Sequence, residues 1–475
     1  MIDLKKLTIR DARVHLDNKD FSAKELAEAY LLNIEKTNGD INAYLEVYDD
    51  VIKQAEEADK RIASGESSTL LGIPLAIKDN ILIKGKKATS GSKILFGFTA
   101  PYDATVITKL KNAGVVFLGR ANMDEFAMGG STENSAFGIT RNPLDTSRVP
   151  GGSSGGSVAA VAMFGALASL GSDTGGSVRE PASFCGVVGL KPTYGGVSRY
   201  GLMSLGSSFD VIGPITKTAT DCEILFNVIK GVDPMDSTTI SENTYENSNK
   251  TPKVLGVPYH ILDKGGMTFE AREIFDKSIE KLKSLGFEIK DIKLPNIEYS
   301  LAVYYIIMPA EASSNLARFD GVKYGLHIDG NNLLDDYLET RGAGFGREVR
   351  RRILIGTYVL SAGYHDAYYN KALKLRAKIS KDFTDAFLEV DAILTPTTTG
   401  PAFKIGEKAN DPLSLYLEDI FTVPANIVGI PAISIPSGTV SLEGKNLPLG
   451  LQIMAPHNRE DVLFSVSKKF LGEMI

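Results

Sequence analysis

The chain is 475 residues long, 43% hydrophobic and 23% charged, proportions that exclude a disordered or fibrous protein and leave room for a sizeable core. Its net charge of −6, with lysines and arginines dispersed, excludes a protein that grips nucleic acid through a basic patch of its own. Two cysteines, Cys185 and Cys222, provide neither a disulfide framework nor zinc-ligand spacing, which suits a reducing cytoplasm.

The opening Met1-Ile2-Asp3-Leu4-Lys5-Lys6 has no apolar stretch behind it, so no signal peptide is expected. Ser22-Ala23-Lys24-Glu25 reads as a capping box opening a helix with apolar Leu26, Tyr30, Leu31 and Ile34, stopped at Asn38-Gly39. Val51 to Ser64 reads as a second helix. The run Leu71-Gly72-Ile73-Pro74-Leu75-Ala76-Ile77 is apolar enough for a buried strand, and Lys78 closes it. A helix from about Ala104 ends at Gly114, and Val115 to Leu118 makes the next strand. Val158 to Phe164 reads as a buried helix and Ala168-Ser169-Leu170 as a buried strand or turn. Ser237 to Thr251 is polar and reads as a long surface loop. After it, strand Val254 to Pro258, a helix from Phe269 and strand Glu288 to Ile292 repeat the pattern. Glu348 to Val390 is largely helical; Ala392 to Leu394, Ala432 to Ile435 and Gly450 to Ile453 read as late strands. This alternation predicts an extensively parallel or mixed sheet. There is no internal repeat, and the longest apolar run, near Val158 to Leu170, is too short for a membrane helix of ~20 residues.

Two glycine-wrapped serines stand out. Ser153 lies in Gly151-Gly152-Ser153-Ser154-Gly155-Gly156-Ser157, and Ser177, 24 residues later, in Ser172-Asp173-Thr174-Gly175-Gly176-Ser177-Val178-Arg179. Glycine lets backbone N–H groups approach a ligand closely, so each serine is a candidate nucleophile. A flexible linker is the bland alternative, but the apolar helix that follows at once places the segment against a core. A phosphate-cradling loop needs lysine after its last glycine, and Gly156 is followed by Ser157.

A serine hydroxyl needs a base. The five histidines, His15, His260, His327, His365 and His457, all lie away from the serine segment. Lys78, at the end of an apolar strand, is the better candidate. To act near neutral pH its pKa has to fall by about 3 units, or roughly 4 kcal/mol, which burial can supply. Asp79 would oppose that fall if it faced the same way, but neighbouring strand residues point to opposite faces. A lysine that snorkels to solvent is the competing reading.

Lys78 in Gly-Ile-Pro-Leu-Ala-Ile-Lys-Asp-Asn, with Ser153 and Ser177 in their glycine-rich strings, resembles the amidase signature family. The resemblance implies a Ser–Ser–Lys triad: Ser177 the nucleophile, Ser153 the relay after a cis Gly152–Ser153 bond, Lys78 the base. It also implies an oxyanion hole from the backbone N–H groups of Thr174, Gly175, Gly176 and Ser177. The implied fold is α/β, one large domain with a central mixed β-sheet covered on both faces by helices. Residues 1–66 would be N-terminal helices, 67–232 and 390–475 the catalytic core, and 253–389 a helix-rich substrate-pocket region.

Further strings, Asn122 to Glu133, Glu311 to Gly321 and Gly344 to Ile353, are similar to one branch of that family, the glutaminase subunits of tRNA-dependent amidotransferases. That branch implies Arg352 for the α-carboxylate of glutamine, Asp419 for its α-ammonium, and Tyr304 and Gly129 lining the pocket. On a helix, Arg347, Arg350 and Arg351 share a solvent face and Arg352 falls off it. A pocket built for both charges would reject an uncharged amide. The branch further implies a heterotrimer in which a B subunit carries tRNA, ATP and magnesium and a C subunit wraps the junction, with no cofactor and no metal in this chain. The acceptor, Glu-tRNA(Gln) or Asp-tRNA(Asn), stays open. A stand-alone amidase for small amides and a silent scaffold remain the alternatives. The chain departs from the family at Glu180, where glutamine is frequent; Glu180 reads as structural, paired with Arg179.

Overall fold

The computed structural model describes residues 2–241, 251–262, 264–409 and 411–473. Among them eleven strands form one sheet: β1 (Tyr44–Val47), β2 (Pro74–Lys78), β3 (Val116–Ala121), β4 (Ala168–Asp173), β5 (Val188–Lys191), β6 (Val211–Thr216), β7 (Val254–Val257), β8 (Glu288–Asp291), β9 (Ala392–Pro396), β10 (Ala432–Leu442) and β11 (Lys445–Met454). Their order is β1-β3-β2-β4-β6-β5-β10-β11-β9-β7-β8. β2 runs parallel to both β3 and β4, and β7 parallel to β8 and β9; the remaining pairs are antiparallel. The result is a single domain with one large mixed sheet flanked by helices, as the sequence implied.

Every residue of β2, β3, β4, β5 and β6 is buried. Their apolar side chains join those of the flanking helices in a core that spans the sheet from Leu7 to Phe470. This explains their near-continuous Val, Ile, Leu and Ala content: a strand covered on both faces has no solvent side on which to alternate. Because β2 and β4 are parallel, Lys78 and the Ser172–Asp173 end of β4 emerge at one edge. The helix Gly155–Ala162 packs on β4 and β2 and starts at that same edge, which brings Ser153 and Ser154 to it.

The structure corrects several boundaries. The helix expected to stop at Asn38-Gly39 continues to Ile41, where Asn42 takes the left-handed conformation (φ 55°) that ends it. The buried helix starts at Gly155, three residues before Val158, so three of the seven residues of the glycine–serine run are helical. Gly156 is required there because a Cβ would lie 2.3 Å from the Asn122 carbonyl oxygen. The two short late strands are halves of a hairpin: β10 and β11 pair from Ala432↔Met454 to Leu442↔Lys445. Of the expected loop from Ser237 to Thr251, residues 242–250 lie outside the described residues.

Candidate active site

Lys78 is fully buried at the carboxyl end of β2. Its Nζ lies 2.8 Å from Ser153 Oγ, 2.8 Å from Ser154 Oγ, 3.0 Å from Ser172 Oγ and 3.3 Å from the Ser172 carbonyl oxygen. Burial pushes its pKa down from 10.5 to about 7, against the pull of Asp124, Asp173 and Asp210. Asp79 is turned the other way, where Arg120 bonds its carboxylate at 2.9 Å and the N–H groups of Thr89 and Gly91 complete it.

The hydroxyl partners are not equivalent. Ser154 Oγ donates to the Ser172 carbonyl at 3.1 Å, so its proton is committed. Ser172 Oγ accepts from Asn80 at 2.9 Å as well as from Lys78. Ser153 Oγ contacts Lys78 and no other hydrogen-bonding group among the described residues. A neutral lysine has two N–H donors and one lone pair. Donors spent on Ser154 and Ser172 leave the lone pair for the proton of Ser153.

Ser177 follows β4 in a tight turn, and its carbonyl accepts from Ser154 N–H at 3.1 Å, which locks the two serine segments together. The turn is clamped by Asp173. Burial alone would raise that carboxyl, but Arg179, bonded to both its oxygens at 3.0 Å, brings it to about 2. Among the described residues, the N–H groups of Thr174, Gly175 and Ser177 meet no protein acceptor. Gly176 differs from the expectation: its N–H donates to Asp173 Oδ1 at 2.9 Å, because the same carboxylate that holds Arg179 also closes the turn. Three of the four expected donors are therefore free. Thr174 is itself held by a hydrogen bond from its hydroxyl to Asp210, 2.7 Å away.

Ser177 shares one cleft with Gly129, Gly175, Tyr304, Arg352 and Asp419, so the structure brings every substrate-site residue expected from the sequence to one place. Gly175 is required by Tyr304, whose ring would lie 2.7 Å from a Cβ. Arg352 is 4% exposed whereas Arg347 and Arg350 face solvent, as the helical spacing demanded; Arg351, expected on that same face, is half-buried and pairs with Glu348. Arg352 Nε donates to Glu348 Oε1 at 2.7 Å, and its guanidinium lies 5.5 and 5.2 Å from the ring centres of Tyr305 and Tyr416. Burial pulls its pKa down, but Glu348 and the tyrosines more than reverse that, so it stays a cation. Asp419 accepts from Tyr305 Oη at 2.9 Å, and desolvation raises it to about 7 despite that bond and Arg352. Arg352 and Asp419 thus offer opposite charges in the cleft that Ser177 lines.

Sequence reasoning missed Ser154 and Ser172 as lysine partners, and Tyr305 and Tyr416, which stack at 4.1 Å to floor the Arg352 site. Ser154 was visible in the motif itself, and Tyr305 beside Tyr304; Tyr416 carried no signal of its own. The expected Glu180–Arg179 pair is absent. Arg179 is consumed by Asp173, the Thr422 carbonyl, Gln452 and Asn426, and Glu180 turns to the opposite side to accept from Gly152 N–H at 2.8 Å.

A profile of the Amidase family matches residues 25–464. The A subunit of glutamyl-tRNA(Gln) amidotransferase from Desulfatibacillum aliphaticivorans is 50% identical over 473 residues, covering 98% of this chain and 97% of that one. The protein of the same name from Thermodesulfovibrio yellowstonii is 51% identical over 459 residues, 95% of this chain and 94% of its own. The crystal structure of its counterpart from Thermotoga maritima, again a glutamyl-tRNA(Gln) amidotransferase A subunit, superposes with a TM-score of 0.80 at 42% identity, covering 99% of this chain and 95% of the other. A profile match along most of the sequence, relatives half identical end to end, and a shared architecture lead to one statement: the chain belongs to the Amidase family.

Proposed function

We propose that this chain is a glutamine amidohydrolase, the component of a tRNA-dependent amidotransferase that releases ammonia from glutamine for use on a partner protein. The observation that carries the reading is the fully buried Lys78 amine, 2.8 Å from a serine whose proton has no other acceptor among the described residues. Lys78 is the base, Ser153 the relay and Ser177 the nucleophile. As Ser177 Oγ attacks the side-chain carbonyl of glutamine, its proton passes to Ser153 while that of Ser153 passes to Lys78. The free N–H groups of Thr174, Gly175 and Ser177 receive the oxyanion, each worth about 3–4 kcal/mol of barrier. The proton then returns through Ser153 to the amide nitrogen, ammonia departs, and water releases glutamate from Ser177.

Arg352 takes the substrate α-carboxylate and Asp419 its α-ammonium, while Tyr304 and Gly129 shape the walls. The paired charges favour a free amino acid over the uncharged small amides of a stand-alone amidase. Support for the branch comes from the names of the half-identical relatives. The acceptor is Glu-tRNA(Gln) or Asp-tRNA(Asn), held by a B subunit that uses ATP and magnesium, with a C subunit covering the junction, in the cytoplasm.

The test measures ammonia released from glutamine by the chain alone and with B, C and charged tRNA. Slow release alone and fast release in the complex, lost on Ser177→Ala, is the expected result; running each charged tRNA identifies the acceptor. Rapid turnover of simple amides with indifference to glutamine would replace this reading by the stand-alone amidase. Full complex activity in Ser177→Ala would reduce the chain to a scaffold.

A further inference from the structure

Glu180 is the second residue of the helix Arg179–Cys185 and is 1% exposed. One oxygen, Oε2, accepts from Gly152 N–H at 2.8 Å; the other, Oε1, has no hydrogen-bond partner among the described residues. The site is shaped around this group. A Cβ on Gly151 would lie 2.9 Å from Oε2, and one on Gly130, which lines the substrate cleft, 3.7 Å from Oε1. Among the described residues no cation pairs with it. Its neighbour Arg179 is committed to Asp173, and the charged groups facing it from other elements are Asp419 and Glu418 from the turn at 418–420 and Asp124 from the loop after β3. An ionised carboxylate with one bare oxygen, out of water and among three other carboxylates, is the costliest arrangement available.

The geometry points to Glu180 as a neutral carboxylic acid that positions Gly152, and through it Ser153, between Lys78 and Ser177. Its carbonyl-like oxygen holds the Gly152 N–H and its protonated oxygen adds no charge beside the cleft. Burial, then Asp419, push its pKa well above the ordinary carboxylate value, in keeping with that state. The inference deepens the proposed glutaminase reading and rests on it for its kinetic arm only.

The chain is tested with two variants. In an infrared difference spectrum of wild type minus Glu180→Gln at pH 8, the wild type is expected to show the band of a protonated carboxyl; loss of a carboxylate band instead overturns the inference. In the glutaminase assay with its partners, Glu180→Gln, which keeps the acceptor for Gly152 without a charge, is expected to hold kcat within about twofold. Glu180→Ala is expected to lower kcat tenfold or more with KM within about twofold. Equal losses in both variants, or full kcat in Glu180→Ala, overturn it. Failure of the wild type to release any ammonia from glutamine would strike the glutaminase reading, and the infrared result would still decide the state of Glu180.

Discussion

Two strand ends each carry a fully buried lysine, Lys78 closing β2 and Lys191 closing β5, and burial brings both amines down to about 7. They differ in what they touch. Lys191 Nζ donates to the carbonyl oxygens of Pro192 and Ile430, 3.0 and 2.8 Å away. Carbonyls only accept, so among the described residues that amine has nothing to take a proton from. Lys78 meets three hydroxyls, and one of them, Ser153, has no other acceptor for its proton among the described residues. A lowered pKa is common to both; the base is the one whose lone pair faces a donor. The arginines divide the same way. Arg179 spends its guanidinium on Asp173, Thr422, Gln452 and Asn426, whereas Arg352 is pinned by Glu348 and two aromatic faces at the wall of the cleft.

The sharpest way to break this comparison is to remove each amine. Lys78→Ala is expected to cut kcat about 10⁴-fold, the upper end of what a positioned base supplies, with an unchanged circular dichroism spectrum. A loss below tenfold would mean that Lys78, like Lys191, is only a structural amine. Next in size, Arg352→Ala should cost about 2–5 kcal/mol in kcat/KM for glutamine, because a desolvated carboxylate loses its partner. A loss under ~0.5 kcal/mol would put Arg352 with Arg179, as a brace within the fold.

How much of this was legible follows the same division between local and assembled features. The strand ending in Lys78 and the serine strings are continuous in sequence, and burial and spacing find them. β6 was not found, since Gly213 and Pro214 argue against an interior strand; it nevertheless runs between β4 and β5, with Pro214 opposite Leu170. The outer half of the β10–β11 hairpin was hidden because Pro436, Gly438 and Pro448 break up its apolar pattern, although Glu443-Gly444, both at positive φ (51° and 76°), form the two-residue turn that makes it. The helix Ser300–Asn315, which carries Tyr304 and Tyr305, contains Pro309, a residue that ordinarily ends a helix. Tyr305 meets Asp419 across 114 residues of chain. Such contacts exist only once the sheet and the helices have packed, and no pattern in either segment announces them.

A smaller effect sharpens the contrast from the other side. Lys191→Met is expected to lower unfolding stability by about 1–3 kcal/mol, since two buried carbonyls lose their donor, while kcat stays within about twofold. Denaturant unfolding and the glutaminase assay on the same preparation check both halves. A kcat loss approaching that of Lys78→Ala would show that the choice of partner does not separate the two lysines.

The least intrusive test is pH. Protonated Lys78 has no lone pair, so kcat should fall as pH drops through about 7, where burial has brought that amine. Asp419 has the opposite chemistry and the same midpoint: desolvation raises it to about 7, so it is ionised above that pH and neutral below it. The α-ammonium of glutamine stays charged throughout, so binding weakens only on the protein's side, and KM should rise about tenfold between pH 8 and pH 6. Asp419→Asn is expected to flatten the KM profile at its high value and leave the kcat limb in place, which assigns one limb to each group. Lys191, with a midpoint like that of Lys78, should contribute to neither, because its proton is exchanged with no reacting atom. A Lys191→Met profile whose kcat limb moved away from that of the wild type would mean the two amines titrate as one system, and the distinction by partners would fail.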